Sequence, residues 1–233
     1  MAAVVFAWLV NAEWLWGSWL AAAFPLQSPA VYPTATLAEL TWQHVQIVVV
    51  SSAITVLIGL PVGIWVTRAS GRDFQDVVAA GVDFGQTFPP VAVLALAMPV
   101  LGFGLAPTVV ALVLYGLFPV VSSTIAGLDA VSPAIVDAAR GIGMGPARVL
   151  SRVELPLSAR VIMGGIRTSV IINIGTATVA AAVGAGGLGD PIIGGINVQN
   201  ISWVVEGAVT AALLAVIADQ FLARFEDVVT PEL

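Results

Sequence analysis

The residues best equipped for chemistry lie in one stretch, Asp137-Ala138-Ala139-Arg140-Gly141-Ile142-Gly143, followed after nine residues by Val153-Glu154-Leu155-Pro156. A carboxylate, a guanidinium and close-set glycines in a polar island of this kind look built to be gripped by another protein. The rest of the chain offers little more. There is no cysteine, which excludes disulfides, thiol catalysis and Cys-ligated metals. His44 is the single histidine, which argues against a His-based triad or His metal site. Neither HExxH nor GxSxG occurs, and no Walker A sequence is present. The chain is therefore expected to be no enzyme and to hold no metal and no cofactor of its own.

The elements that must position this island are membrane helices. Of the 233 residues, 59% are hydrophobic and 9% charged, with a mean hydropathy of +1.02. Soluble domains carry about 25% charge. The net charge of -6 argues against a nucleic-acid partner. A helix needs about 20 apolar residues to cross a bilayer, and five stretches qualify: 45–66, 77–101, 105–125, 161–183 and 204–222. No stretch alternates with period two, so the expected fold class is an all-α polytopic bundle rather than a barrel.

All eight basic residues are arginines. With five spans, every one falls on the same side: Arg68 and Arg72, then Arg140, Arg148, Arg152, Arg160 and Arg167, then Arg224. The positive-inside rule makes that side cytoplasmic, with the N-terminus outside and the C-terminus inside. Two domains are expected, an N-terminal apolar helix with a proline-containing linker (1–41) and a transmembrane domain (42–233). The tryptophans Trp8, Trp14, Trp16 and Trp19 favour a helix lying in the outer interface, while its length also allows a sixth span. His44 reads as an interface anchor.

The polar island has its own start and stop signals. Ser132-Pro133 offers an N-cap and a first-turn proline, and Gly141, Gly143 and Gly145 end a helix over 134–140. Pro146 opens a second short helix, and Pro156 is expected to stop it before the fourth span. Within the spans, Asp83, Gln86, Thr87, Asn173, Thr176 and Thr178 either line a pathway or glue the helices together. Pro89-Pro90 is the hinge candidate. The run 184–189, with Gly186, Gly187 and Gly189, lies at the outer end of span four as a candidate gate. A cation would find Asp83 or the faces of Phe84, Phe88 and Tyr115.

The island's spacing resembles the EAA signature of ABC-importer permeases, with Asp137 in place of Glu and Val153 in place of Ile. Gly59-Leu60-Pro61-Val62-Gly63-Ile64, Gln86-Thr87-Phe88-Pro89-Pro90 and Met163-Gly164-Gly165-Ile166-Arg167 are similar to segments of osmoprotectant-uptake permeases. Val183-Gly184-Ala185-Gly186-Gly187-Leu188-Gly189-Asp190 is shared with methionine and other type-I importers. The resemblance covers nearly the whole chain from about residue 40. It implies a type-I importer permease bundle in the cell membrane, with a coupling loop at about 129–157. Asp137, Ala138, Ala139, Gly143, Leu155 and Pro156 would meet a cytoplasmic ATPase dimer that supplies ATP and Mg chemistry. Asp83, Gln86, Phe88, Pro89, Asn173, Gly186, Gly187 and Gly189 would form path and gate. The further partners implied are a second permease subunit and an extracytoplasmic binding protein. The implied substrate is glycine betaine, choline or carnitine, with methionine or another amino acid as the alternative. A channel-like protein is the alternative of a different class.

Overall fold

The structure is a computed structural model describing residues 2–230, and every regular element among them is helical. Ala2–Asn11 (α1) and Glu13–Ala23 (α2) are separated only by Ala12. The expected single N-terminal helix is thus two short ones, each reaching about 15 Å at 1.5 Å per residue. Neither is long enough to cross a bilayer alone. The Trp16 indole donates to the Leu9 carbonyl (3.0 Å) and ties them together. The proline-bearing segment that follows is pinned rather than free. Tyr32 N–H donates to the Glu206 carboxylate (2.8 Å), and Ser202 Oγ donates to the Ala30 carbonyl (2.6 Å). Asn200 Nδ2 and Trp203 Nε1 both donate to the Pro29 carbonyl.

Leu37–Val66 (α3) begins earlier than the apolar run. The cause is a capping box: Glu39 accepts from Thr36 N–H (3.0 Å), and Thr36 Oγ1 accepts from Glu39 N–H (3.2 Å). The expected second span is broken into Gln75–Thr87 (α4) and Pro90–Leu101 (α5). Phe88 and Pro89 each precede a proline, which disfavours the α conformation. Pro89 is accordingly extended (φ -59°, ψ 136°), and Pro90 sits in the first turn of α5, where its missing N–H costs nothing. Leu105–Asp129 (α6) carries Pro119 in its interior.

Pro133–Gly141 (α7) and Pro146–Val149 (α8) follow, and then a five-residue π segment, Leu150–Glu154, runs into Leu155–Ala177 (α9). Pro156 therefore does not stop the helix, since the helical run is continuous from Pro146 to Val183. A proline lacks its N–H and collides with the carbonyl four residues back. The wider π turn, with Leu155 N–H bonded to the Leu150 carbonyl, gives the ring room without a break. Gly189–Asn197 (α10) was not foreshadowed by the glycine-rich sequence, and Ile201–Val229 (α11) completes the order. Among the described residues, four helical runs are long and apolar enough to cross a membrane, or five crossings if the α4–α5 pair is one broken span.

The described residues pack into two compact units. One comprises residues up to Ser52, Phe88–Val113 and Ile171–Asp219; its core gathers Phe6, Val10, Trp16, Leu20, Leu37, Leu40, Leu188 and Ala211. The other comprises Ala53–Thr87, Leu114–Val170 and the residues from Gln220. There α3 lies against α6 so closely that a Cβ on Gly59 would sit 2.9 Å from Val120, and one on Gly63 2.6 Å from Thr124. Backbones come this near only where the interface residues are small.

Candidate functional site

The island folds into a helical hairpin with its own core. Val136, Ala139 and Val149 are buried together, with Val131, Met144 and Val153 packed around them. Ser132 occupies the N-cap position of α7, but its side chain makes no capping bond. The other end of α7 is a Schellman cap. Met144 N–H bonds to the Ala139 carbonyl (3.1 Å), Gly143 N–H bonds to the Arg140 carbonyl (2.9 Å), and Met144 packs with Ala139. Such a cap places one residue in the left-handed region, and Gly143 holds it at φ +88°. The glycine four positions past Ala139 is thus required by the turn itself.

The outward face of the hairpin differs in part from the set expected. Asp137, Ala138 and Gly143 are exposed, whereas Ala139 is turned into the hairpin core. Leu155 is half-buried and Pro156 exposed at the start of α9. Asp137 and Arg140 pair loosely at 3.6 Å, an exposed contact worth at most about 1 kcal/mol. Two residues escaped the sequence reading: Ile135 is 46% exposed and Ile142 76% exposed. An isoleucine between two glycines in a polar loop was the available signal for Ile142. A second oversight is an ion pair at the foot of the hairpin, where Arg68 meets Glu154 at 2.5 Å. Nothing local in the sequence announces a pair so far apart along the chain.

The polar groups of the spans are more dispersed than a single site. Gln86 donates through Nε2 to the Tyr115 carbonyl (2.9 Å). Asp83 and Phe88 are exposed. Asn173 is fully buried, donating to Ser52 Oγ (3.1 Å), so it joins two helices. Many hydroxyls bond instead within their own helix: Thr41 to Leu37, Thr124 to Val120 and Thr210 to Glu206, each at 2.7 Å.

His44 is not an interface anchor. It is fully buried, its Nε2 lies 3.0 Å from the Ile174 carbonyl, and its ring is seated on Gly187. Gly187 has φ +83°, and a Cβ there would lie 3.1 Å from His44 Nδ1. Its N–H donates to Gln43 Oε1 (3.1 Å). Gly186 packs against the same Gln43 side chain, and Gly189 against the Thr178 carbonyl. The glycine run is therefore a close-packed seat. At its end, burial pushes the Asp190 carboxyl up from the usual carboxylate range.

Residues 59–230 match the family described as "Binding-protein-dependent transport system inner membrane component". The chain belongs to that family. This permease is 39% identical over 191 residues to the choline transport system permease protein OpuBB of Bacillus subtilis (strain 168), covering 82% of this chain and 87% of that one. It is 38% identical over 217 residues to the osmoprotectant import permease protein OsmY of Salmonella typhimurium, covering 93% and 89%. Among solved structures, a chain of the MetNI methionine ABC transporter in an inward-facing conformation aligns with a TM-score of 0.75 and 22% identity, covering 84% of this chain and 96% of that one. At that identity the likeness shows the fold, the helical bundle of a type-I importer permease.

Proposed function

We propose that this permease forms half of the translocation path of an importer for a quaternary-amine osmoprotectant, choline, glycine betaine or carnitine. A second permease subunit completes the path, an extracytoplasmic binding protein delivers the substrate, and a separate ATPase dimer drives the cycle. The ATPase subunits hold the ATP and Mg, and this chain itself catalyses nothing. The observation that carries the docking half of the reading is the hairpin. It is self-packed, exposes Asp137, Ala138, Ile142 and Gly143, and stands at the start of the helical run Pro146–Val183. A rigid knob on the end of a long helix passes a push into the bundle instead of absorbing it. The substrate class rests on the relatives, which are named as choline and osmoprotectant permeases.

The N-terminus faces outward and the hairpin inward on this reading, and α1–α2 lie along the outer interface. ATP binding draws the two ATPase subunits together, the hairpin follows, and the path opens toward the loaded binding protein. Hydrolysis resets it to face inward. The substrate class is checked by uptake into vesicles holding the complete complex, with choline, glycine betaine, carnitine and methionine offered in turn. Methionine uptake without amine uptake would sink the substrate assignment.

The docking surface is checked at Gly143. Asparagine tolerates the left-handed conformation, so Gly143→Asn adds bulk while sparing the cap. The expected outcome is normal folding, ATPase affinity lowered by about tenfold or more (~1.4 kcal/mol), and uptake lowered with it. Normal ATPase binding with fully coupled uptake in this variant would falsify the docking assignment.

A further inference from the structure

The Arg68–Glu154 pair is a short, largely buried polar link from the hairpin's foot to another part of its unit. Arg68 lies in the turn just past the cytoplasmic end of α3, and Glu154 closes the π segment beneath the hairpin. Glu154 is 8% exposed, a carboxylate almost withdrawn from water, and its Oε2 accepts from Arg68 Nη1 at 2.5 Å. The guanidinium is held on its other side as well. Arg68 Nε and Nη2 both donate to Thr67 Oγ1 (3.2 and 3.0 Å), and Thr67 Oγ1 donates to the Ile64 carbonyl (2.8 Å) in the last turn of α3. An unbroken chain of bonds therefore runs from the last turn of the first span to the helix that carries the hairpin.

The surroundings separate this pair from an ordinary structural ion pair. Both residues line a cavity of about 800 Å³, along with Arg72, Asp129, Asp137 and Arg140. The space lies between the α3–α4 turn and the hairpin, which leaves the hairpin room to shift while the link stays closed. A buried charge that loses its partner is costly, so the pair resists separation. The phase of Glu154 depends on the π turn, because an extra residue in one turn swings the side chains on either side of it relative to each other.

Resting on the docking role proposed for the hairpin, we infer that Arg68 and Glu154 are positioning residues forming a transmission link. Through it, displacement of the hairpin by the ATPase reaches the first span directly, in addition to travelling along the helix that carries the hairpin. The link touches neither substrate nor ATPase.

The experiment uses the full complex with its ATPase and binding protein in vesicles. It compares Glu154→Gln, Arg68→Gln and the exchanged double variant Arg68→Glu with Glu154→Arg. Three quantities are read for each: ATPase affinity, ATP hydrolysis, and substrate moved per ATP. Each single variant is expected to bind the ATPase and hydrolyse ATP as the wild type does, but to move about fivefold less substrate per ATP or worse. The exchanged variant is expected to recover most of the coupling. Arg68 has the more exposed side chain (30% against 10%), so Arg68→Gln serves if Glu154→Gln does not assemble. Wild-type coupling in a single variant, or an exchanged variant no better than the singles, overturns the link. Loss of ATPase binding in the single variants also overturns it, because the pair would then belong to the docking surface. If Gly143→Asn alone leaves docking intact, the docking role fails, which is a separate result.

Discussion

At the residue scale, the chain's conspicuous glycines mark contacts more than flexibility. Gly143 and Gly184 stand at the left-handed position of Schellman caps, and Gly187 lets the buried His44 ring approach the backbone. A third cap of the same kind closes α10. Asn200 N–H bonds to the Gly195 carbonyl (2.8 Å) and Gln199 N–H to the Ile196 carbonyl (3.3 Å), with Gln199 at φ +57°. A side chain in that region costs about 1–2 kcal/mol, which glycine avoids at some loss of unfolded-state restriction. Gln199→Gly is therefore expected to stabilise the protein by about 0.5–1 kcal/mol, seen as a Tm higher by about 2 °C in detergent. A lower Tm would mean that the glutamine side chain earns its place through a contact with a partner. The motifs behind the family resemblance have the same physical content: Gly59, Gly63 and Gly165 sit where helices pack closely, Gly59 against Val120, Gly63 against Thr124, and Gly165 against Ser123 and the Pro119 carbonyl.

At the element scale, what was legible in the sequence follows from the bilayer's demand that backbone groups bond internally. That demand makes an apolar run of span length a helix, so the first, third and fifth spans appear where expected. Deviations arise where a local rule outranks hydropathy. The capping box Thr36–Glu39 was readable but lay outside the apolar run, and the two X-Pro steps at Phe88 and Pro89 cut the second span. The π segment was not readable, because a proline gives no sign whether its helix will end or widen. Its position can be tested. Pro156→Ala removes the collision that the wider turn relieves, so Leu150–Glu154 can relax to α geometry. One residue corresponds to about 100° of helix rotation, which would turn the hairpin away from its place relative to α9. The expected outcome is an unchanged or slightly higher Tm with transport reduced severalfold. Full transport by Pro156→Ala would show that the π turn accommodates the proline and has no part in aiming the hairpin.

At the scale of the whole molecule, orientation rests on the arginines, and the absence of cysteine makes it directly measurable. Single cysteines can be introduced at exposed positions and probed with an impermeant thiol reagent on intact and opened vesicles. Leu26 (95% exposed), Phe103 (76%) and Val198 (60%) lie in connections expected outside, and Ile142 (76%) in the hairpin expected inside. Cysteines at the first three should react in intact right-side-out vesicles, and one at Ile142 only after opening. The pattern depends on α4 and α5 acting together as one crossing. If they instead formed a re-entrant loop, Phe103 would lie on the same side as Ser70, and a cysteine at each would react under the same condition. Val4, 73% exposed, decides the remaining question about α1 and α2. A helix pair along the outer interface leaves a cysteine at Val4 open to reagent from outside, while a sixth crossing carries it to the side of Ile142. The charge distribution favours the first result: residues 1–41 contain no basic side chain, so nothing in that segment draws its end toward the cytoplasm.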